Sequence, residues 1–382
     1  MPDFYEFFAG GGMARAGLGG KWRCLFANDF DHKKGKVYST NWGTKGLSIG
    51  DIKALTHLNL PGRADLVWAS FPCQDLSLAG GGAGLKGDRS GTFWPFWELM
   101  NELVENDRAP KLIALENVCG TLTSHDGKDF KAIAECFRGA GYRFGAIVVD
   151  AALFLPQSRP RLFMIGVRND IEIPAKLKCD AQPNSPWHTK ALKTAYMRLA
   201  ASERANWIWW RIAEPAHRNT GFADIIENNP TGVEWHTAAE TLKLIGMMSS
   251  INRAKLDAAK LLQRRIVGTV YKRTRQDENG FKLQRAEVRF DDVAGCLRTP
   301  AGGSSRQVII VVDGERVRSR LISSRETARL MGLPDDYVLP VNYNEAYHLT
   351  GDGVAVPVVR HLALNIFEPI LRVRATSERV AA

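Results

Sequence analysis

At 382 residues the chain is long enough to bury a sizeable core and to form two domains, or one with a large insertion. Hydrophobic residues at 45% and charged residues at 24% are ordinary for a globular protein, while a net charge of +10 favours a polyanionic partner, nucleic acid ahead of an anionic membrane. The start has no basic segment leading into an apolar one, which argues against a secretory signal. No run approaches the roughly 18 apolar residues of a membrane span, and the six scattered cysteines contain no Cys-x-x-Cys pair, against both a disulfide scaffold and a zinc site.

In chain order, residues 4–8 read as a first strand, followed by a glycine turn and a helix from about position 13. Residues 22–27, 65–70, 111–115, 146–150 and 161–167 supply further strands, with helical apolar spacing over 93–106 and 130–140. This alternation predicts an α/β fold, a doubly wound and mostly parallel Rossmann-like sheet that collects ligands at the carboxyl ends of its strands. From 171 onward Pro174, Pro183 and Pro186 punctuate a linker, and a tryptophan-rich segment (Trp207, Trp209, Trp210) follows. A long helical pattern is expected over 236–265, then short strands over 266–271 and 308–312 within a basic stretch, and a final helix over 356–371. The expected organisation is a catalytic domain over 1–170, a smaller mixed domain over 171–344, and a segment over 345–382 that returns to the first.

Phe8-Ala9-Gly10-Gly11-Gly12-Met13 closes the first strand, and its glycines allow a tight turn and a close ligand approach. Asp29 ends the second strand and Asp51-Ile52 stands at the next boundary, carboxylates suited to a ribose diol and an adenine amino group. Arg15 occupies the place where G-x-G-x-x-G needs its third glycine, which disfavours a nicotinamide dinucleotide. A nucleoside cofactor without phosphates fits better, S-adenosylmethionine first among them. The glycine-rich loop over 79–89 lacks the G-K-[ST] of a phosphate cradle, since Gly87 follows Lys86, and reads as a loop able to close over substrate.

Three strand ends carry reactive groups. Pro72-Cys73-Gln74 offers a thiol, Glu116-Asn117-Val118 a carboxylate, and Gln157-x-Arg159-x-Arg161 two guanidiniums that alternation would place on one face. Each alone is more often structural; together, at the strand ends of one sheet, they read as a catalytic set. Their order, with Phe8-Ala9-Gly10, Arg325-Glu326, Arg329-Leu330-Met331-Gly332-Leu333-Pro334 and Gly351-Asp352-Gly353-Val354, resembles the DNA (cytosine-5)-methyltransferase family of bacterial or phage type. The resemblance covers 4–167 and about 318–371.

The chemistry explains these residue types. Cytosine C5 is a poor nucleophile, so the ring needs covalent addition at C6, for which a thiolate is suited because it attacks readily and leaves again. Glu116 can serve N3 and the exocyclic amine. By resemblance, Cys73 is the nucleophile, Arg161 holds the cytosine carbonyl oxygen, and Arg159 orients the thiolate and a neighbouring phosphate. The base must be flipped out of its duplex. The resemblance also implies cofactor contacts at Phe8, Gly10, Gly12, Asp29, Phe30, Asp51, Ile52, Pro72, Phe93, Asp352 and Val354. DNA contacts are expected at Gln74, Ser77 and Arg89, at Lys272, Arg273, Arg275 and Arg285, and at Arg298, Thr299, Gly302 and Gly303 in a recognition loop.

The pattern departs from the family at Met13 for a third glycine, at Asp352-Gly353 for the usual Asn-Ser or Asn-Ala, and at Asp29 for the more common glutamate. The expected enzyme is a cytoplasmic, nucleoid-associated monomer acting on double-stranded DNA, free of metal and membrane, with a cognate restriction endonuclease as a functional partner. A transfer-RNA cytosine methyltransferase of the same fold is one alternative, although Cys296 is followed by Leu-Arg rather than that group's Phe-Thr. A catalytically inactive DNA-binding homologue is the other.

Overall fold

The computed structural model describes residues 1–72, 90–276, 280–298 and 305–373. Contacts divide the chain into two compact units. The first holds residues 1–150, 160–215 and 354–382, and the second 151–159 and 216–353.

The first unit is built on β1 (Asp3–Phe7), α1 (Met13–Leu18), β2 (Arg23–Asp29), α2 (His32–Trp42), β3 (Leu47–Ile49), β4 (Leu66–Ala69), α3 (Phe93–Glu105), β5 (Leu112–Val118), α4 (Lys128–Gly139), β6 (Tyr142–Asp150) and β7 (Pro160–Arg168). The strands form one seven-stranded sheet in the order β3-β2-β1-β4-β5-β7-β6. Strands β1 to β5 pair in parallel, whereas β7 runs antiparallel to both β5 and β6. That reversal matters for function: it sets the start of β7 beside the end of β5, with Arg161 opposite Val118.

Both faces of the sheet are covered, as alternation in β1 requires. Tyr5 and Phe7 join α3 and α4 in a cluster that includes Phe93, Phe96, Trp97 and Phe137. Phe4 and Trp68 face the other way, where Trp22 and Phe367 meet them edge-on. Residues 171–215, read from sequence as part of the smaller domain, pack on the first unit instead. They form β8 (Lys178–Cys179), α5 (Lys190–Met197), α6 (Ala201–Ala205) and β9 (Trp209–Trp210). Trp207 is the anchor, its ring 5.5 Å from Phe144 on β6 and 6.1 Å from Phe130 on α4; a large aromatic surface of this kind is driven out of water onto the nearest apolar layer.

The second unit carries α7 (Phe222–Ile225), α8 (Ala238–Gly246), α9 (Ser250–Leu261), β10 (Ile266–Gln276), β11 (Lys282–Arg289), β12 (Val308–Asp313), β13 (Arg316–Leu321), α10 (Ser324–Leu330) and α11 (Tyr343–Asp352). Its four strands form an antiparallel sheet in the order β11-β10-β12-β13. Val270, Val288, Ile310 and Val312 on one face pack against Leu244 of α8, Leu256 of α9 and Met248 in the turn between them. The single helix expected over 236–265 is therefore two. Thr237 and Glu240 form a capping box that starts α8, and the Ser249 side chain accepts from the Asn252 N–H to start α9. The apolar periodicity runs through the break, but two caps 12 residues apart cannot both lie inside one helix.

The chain returns to the first unit as α12 (Val356–Leu362), continued by a π-helical turn over Ala363–Phe367. Gly17 on α1 makes room for it: a Cβ there would come within 2.4 Å of the Val359 Cβ. The stretch Tyr343–Val373 is long and apolar enough to cross a membrane by length and composition, contrary to the sequence reading. Its apolar side chains are used in packing, however: 56% of its most apolar window is buried inside the protein, and Val359, Leu362, Ile366 and Phe367 are core.

Candidate active site

The glycine turn after β1 is strained and tightly held. Phe8 takes left-handed backbone (φ 56°), unusual for a bulky residue, and Gly10 and Gly12 also have positive φ. The two glycines serve different purposes. A Cβ at Gly12 would lie 2.4 Å from Trp42 Nε1 and 2.9 Å from the Tyr38 ring, so this glycine lets α2 pack close rather than making space for a ligand. At Gly10 nothing stands within 4 Å of the Cβ position. The open side of the turn is there.

Asp29, at the end of β2, fixes that turn. Its carboxylate accepts from the Gly10 N–H at 2.7 Å and from the Asp31 N–H at 2.8 Å. Burial raises its pKa, with the Lys34 charge and these N–H groups pulling it back down. Phe30 follows with its ring 72% exposed, an aromatic face at the same strand end. Asp51 caps a short 3-10 turn through the Lys53 N–H, and Ile52 is buried beneath it. Phe93, expected as a cofactor contact, is instead enclosed in the core against Phe71, Trp94 and Trp97, because it opens α3 on the inward-facing stripe. Val354 is buried in the first unit, and Asp352 is an exposed residue ending α11 of the second.

These residues fit a nucleoside cofactor. An open glycine, a held carboxylate and an exposed aromatic ring meet the needs of close backbone approach, a diol and a base. Among the described residues no cluster of His, Cys, Asp and Glu suits a metal.

A second set lies at the same edge of the sheet. Glu116 near the end of β5 is 6% exposed, and Arg161 Nε lies 3.2 Å from its Oε1. Asn117, next in the strand, donates from Nδ2 to the Phe71 carbonyl at 3.2 Å while its Oδ1 accepts from the Val118 N–H. The end of β5 is thereby tied to the segment Phe71-Pro72 that leads into Cys73. Cys73, Gln74, Ser77 and Arg89, with Thr299, Gly302 and Gly303 of the recognition loop, lie outside the described residues. Cys119, another thiol near this edge, is half-buried; burial pushes its pKa up, against the pull of the Arg161 charge, which leaves it a poor nucleophile.

The two arginines do not share a role. Arg161 belongs to β7, but Arg159 precedes the strand and folds with the second unit. There its guanidinium is 2% exposed and donates to the carbonyls of Gly351 (2.8 Å) and Gly353 (2.7 Å) and to Cys296 Sγ (3.2 Å). The expectation of one shared face fails because strand alternation begins only at Pro160. Gln157 is likewise used inside the second unit, donating to the Leu330 carbonyl at 2.6 Å.

Sequence reasoning gave no role to Glu6, Tyr38 or the Asn117 side chain, and read Arg15 only as the absence of a glycine. Glu6 is 1% exposed behind the turn and accepts from the Arg15 N–H (3.3 Å) and the Tyr38 hydroxyl (3.4 Å). A lone carboxylate inside an otherwise apolar strand was the available signal.

Replacing Asp29 with alanine should weaken S-adenosylmethionine binding about 10- to 100-fold, the range for a lost charge-assisted hydrogen bond. Calorimetric titration reads this directly, and an unchanged affinity would remove Asp29 from the cofactor site.

The sequence matches the family model described as C-5 cytosine-specific DNA methylase over residues 3–368. It is 28% identical over 390 residues to the Type II methyltransferase M.HpaII of Haemophilus parainfluenzae, covering 96% of this chain and 89% of that protein. Identity to the Type II methyltransferase M.HhaI of Haemophilus parahaemolyticus is 24% over 367 residues, covering 95% and 93%. Among solved structures, the Entamoeba histolytica methyltransferase EhMeth superposes with a TM-score of 0.63 at 13% identity, over 97% of this chain and 98% of that one. The S. pombe Dnmt2 methyltransferase gives 0.56 at 17%, over 95% and 98%, and both likenesses concern the fold. A match spanning nearly the whole chain, on a sheet whose carboxyl edge already gathers a nucleoside-type site and a carboxylate–guanidinium pair, places this chain in the C-5 cytosine-specific DNA methylase family, as an S-adenosylmethionine-dependent enzyme with DNA as its substrate.

Proposed function

We propose that this enzyme methylates C5 of one cytosine, flipped out of a specific short sequence in duplex DNA, through a covalent adduct between Cys73 and C6. The observation that carries the reading is the Glu116–Arg161 pair at the end of β5, tied by Asn117 to the segment running into Pro72-Cys73. The Cys73 thiolate adds to C6 as Glu116 serves N3 and the exocyclic amine, so the electron pair from the broken C5–C6 double bond is held in the ring. Arg161 stabilises the charge at the carbonyl oxygen and orients Glu116. S-Adenosylmethionine supplies, when bound, the electrophilic methyl group that the activated C5 takes up; Phe8, Gly10, Asp29, Phe30, Asp51 and Ile52 would hold it. Water then takes the C5 proton, the C5–H electron pair restores the C5–C6 double bond, and the C6–S bond breaks to release Cys73 as a thiolate. Arg159 acts as a positioning residue, clasping Gly351 and Gly353 beside Asp352. The basic strands and Arg298 of the second unit meet the DNA.

The expected setting is the cytoplasm, associated with the nucleoid through DNA binding, as a monomer, with a cognate restriction endonuclease as functional partner. Labelled cofactor offered with either duplex DNA or transfer RNA should mark the DNA alone, and bisulfite sequencing of DNA from an expressing host should show one methylated context. Label in the RNA instead, or unmodified host DNA, would overturn the assignment.

A further inference from the structure

Gly10, Gly11 and Gly12 follow one another in the turn after β1, and three glycines in a row have little steric preference of their own. Their conformation has to be imposed by neighbours. The Ala9 N–H donates to the Asn28 carbonyl, the Gly10 N–H to Asp29 and the Gly12 N–H to the Ala9 carbonyl. The Gly11 carbonyl is held differently, by a side chain. Trp42, the last residue of α2, donates its indole N–H to it at 3.0 Å. The same ring occupies the place a Gly12 Cβ would need, so the contact is steric as well as polar.

Trp42 is in turn held by Arg15. The guanidinium carbon of Arg15 stands 5.1 Å from the centre of the indole and 5.7 Å from that of the Tyr38 ring, and its Nη1 donates to the Tyr38 hydroxyl at 3.1 Å. A cation over an aromatic face attracts it, an indole most of all. The Tyr38 hydroxyl donates to Glu6, which also accepts from the Arg15 N–H. One arginine of α1 therefore locks two aromatic residues of α2 beneath the turn, a role at the position where the sequence showed only a missing glycine. Space filling alone does not account for Trp42. Its ring is only half-buried, and its N–H is spent on a carbonyl inside the triple-glycine stretch.

We propose that Trp42 is a positioning residue for cofactor binding. Its N–H presets the Gly11–Gly12 peptide, so that the turn meets S-adenosylmethionine already ordered, and Arg15 keeps the indole in place. A preset turn spares the ordering cost that is otherwise subtracted from affinity. The inference rests on the cofactor lying against Gly10 and Asp29, and it adds a residue outside that set. The test is calorimetric titration of S-adenosylmethionine into the full-length enzyme and its Trp42→Phe, Arg15→Ala, doubly substituted and Asp29→Ala variants. Trp42→Phe keeps a ring under Gly12 but loses the donor, so binding should weaken about 2- to 12-fold, the range for one neutral hydrogen bond. In steady-state methyl transfer the loss should fall in KM for the cofactor, with kcat retained at saturation. Arg15→Ala should weaken binding as well, and adding it to Trp42→Phe should cost little more, because both act through one contact. Wild-type cofactor affinity in Trp42→Phe, a loss confined to kcat or to the melting temperature, or fully additive losses in the double variant each overturn the proposal. Asp29→Ala separates the two readings. If it binds weakly while Trp42→Phe binds normally, the positioning role alone falls; if both bind normally, the cofactor site itself lies elsewhere.

Discussion

Cys73→Ser is expected to abolish methyl transfer, by roughly 10⁴-fold or more, while leaving S-adenosylmethionine affinity unchanged. A serine hydroxyl keeps the shape of the site but holds its proton at neutral pH, so it cannot add to C6. Glu116→Gln should cost less, about 10²- to 10⁴-fold, because it removes proton handling and leaves the nucleophile in place. Duplex DNA bearing fluorine at C5 separates the two variants further. With no C5 proton to lose, the adduct persists, and a denaturation-stable protein–DNA band should form with the wild type and be missing with Cys73→Ser. Near wild-type turnover by Cys73→Ser would sink the covalent mechanism, and the half-buried, pKa-raised Cys119 offers no ready substitute.

The second large effect concerns stability. Burial pushes the Glu6 carboxyl up to about 8 from its ordinary 4.5, opposed by the Arg15 N–H and charge and by the Tyr38 hydroxyl, with the Asp29 charge adding to the rise. Burial likewise raises the neighbouring Cys24 thiol, to about 11, so Cys24 stays neutral across the window in question. Between pH 4.5 and about 8 the folded chain holds a proton that the unfolded chain has released. The native state thus binds more protons, and stability must decline as pH rises through that window. The contribution is fully present below 4.5 and spent above about 8, with a slope of up to about 1.4 kcal/mol per pH unit. Glu6→Gln should remove this slope. Denaturant unfolding of both proteins over a pH series gives the difference curve, and a flat difference would show that Glu6 does not hold its proton on folding.

Glu6 also indicates where sequence reading stops. Its strand was legible because four aromatic residues surround it, and the same pattern hid the carboxylate among them. That it meets Arg15 from α1 and Tyr38 from α2 depends on how two helices cross one strand. Asn117 is similar: the motif names it, but its bond to the Phe71 carbonyl exists only because β4 and β5 are neighbours in the sheet. The paired helices α8 and α9 show a different limit, in which periodicity outran two capping signals that were present in the sequence.

The sequence by itself determined six of the seven strands of the large sheet and three of its helices, the residue types of the chemistry, and the family; α2, β3 and the placement of residues 171–215 in the first unit it did not. Alternating apolar runs, glycine turns and short motifs are local patterns, and local patterns survive in one dimension. Only the tertiary structure decided which of those residues act together. The reversal of β7 sets Arg161 against Glu116, while Arg159, two residues earlier, is drawn into the carbonyls of Gly351 and Gly353. Strand direction and the competition among hydrogen-bond acceptors are non-local, and no spacing along the chain records them.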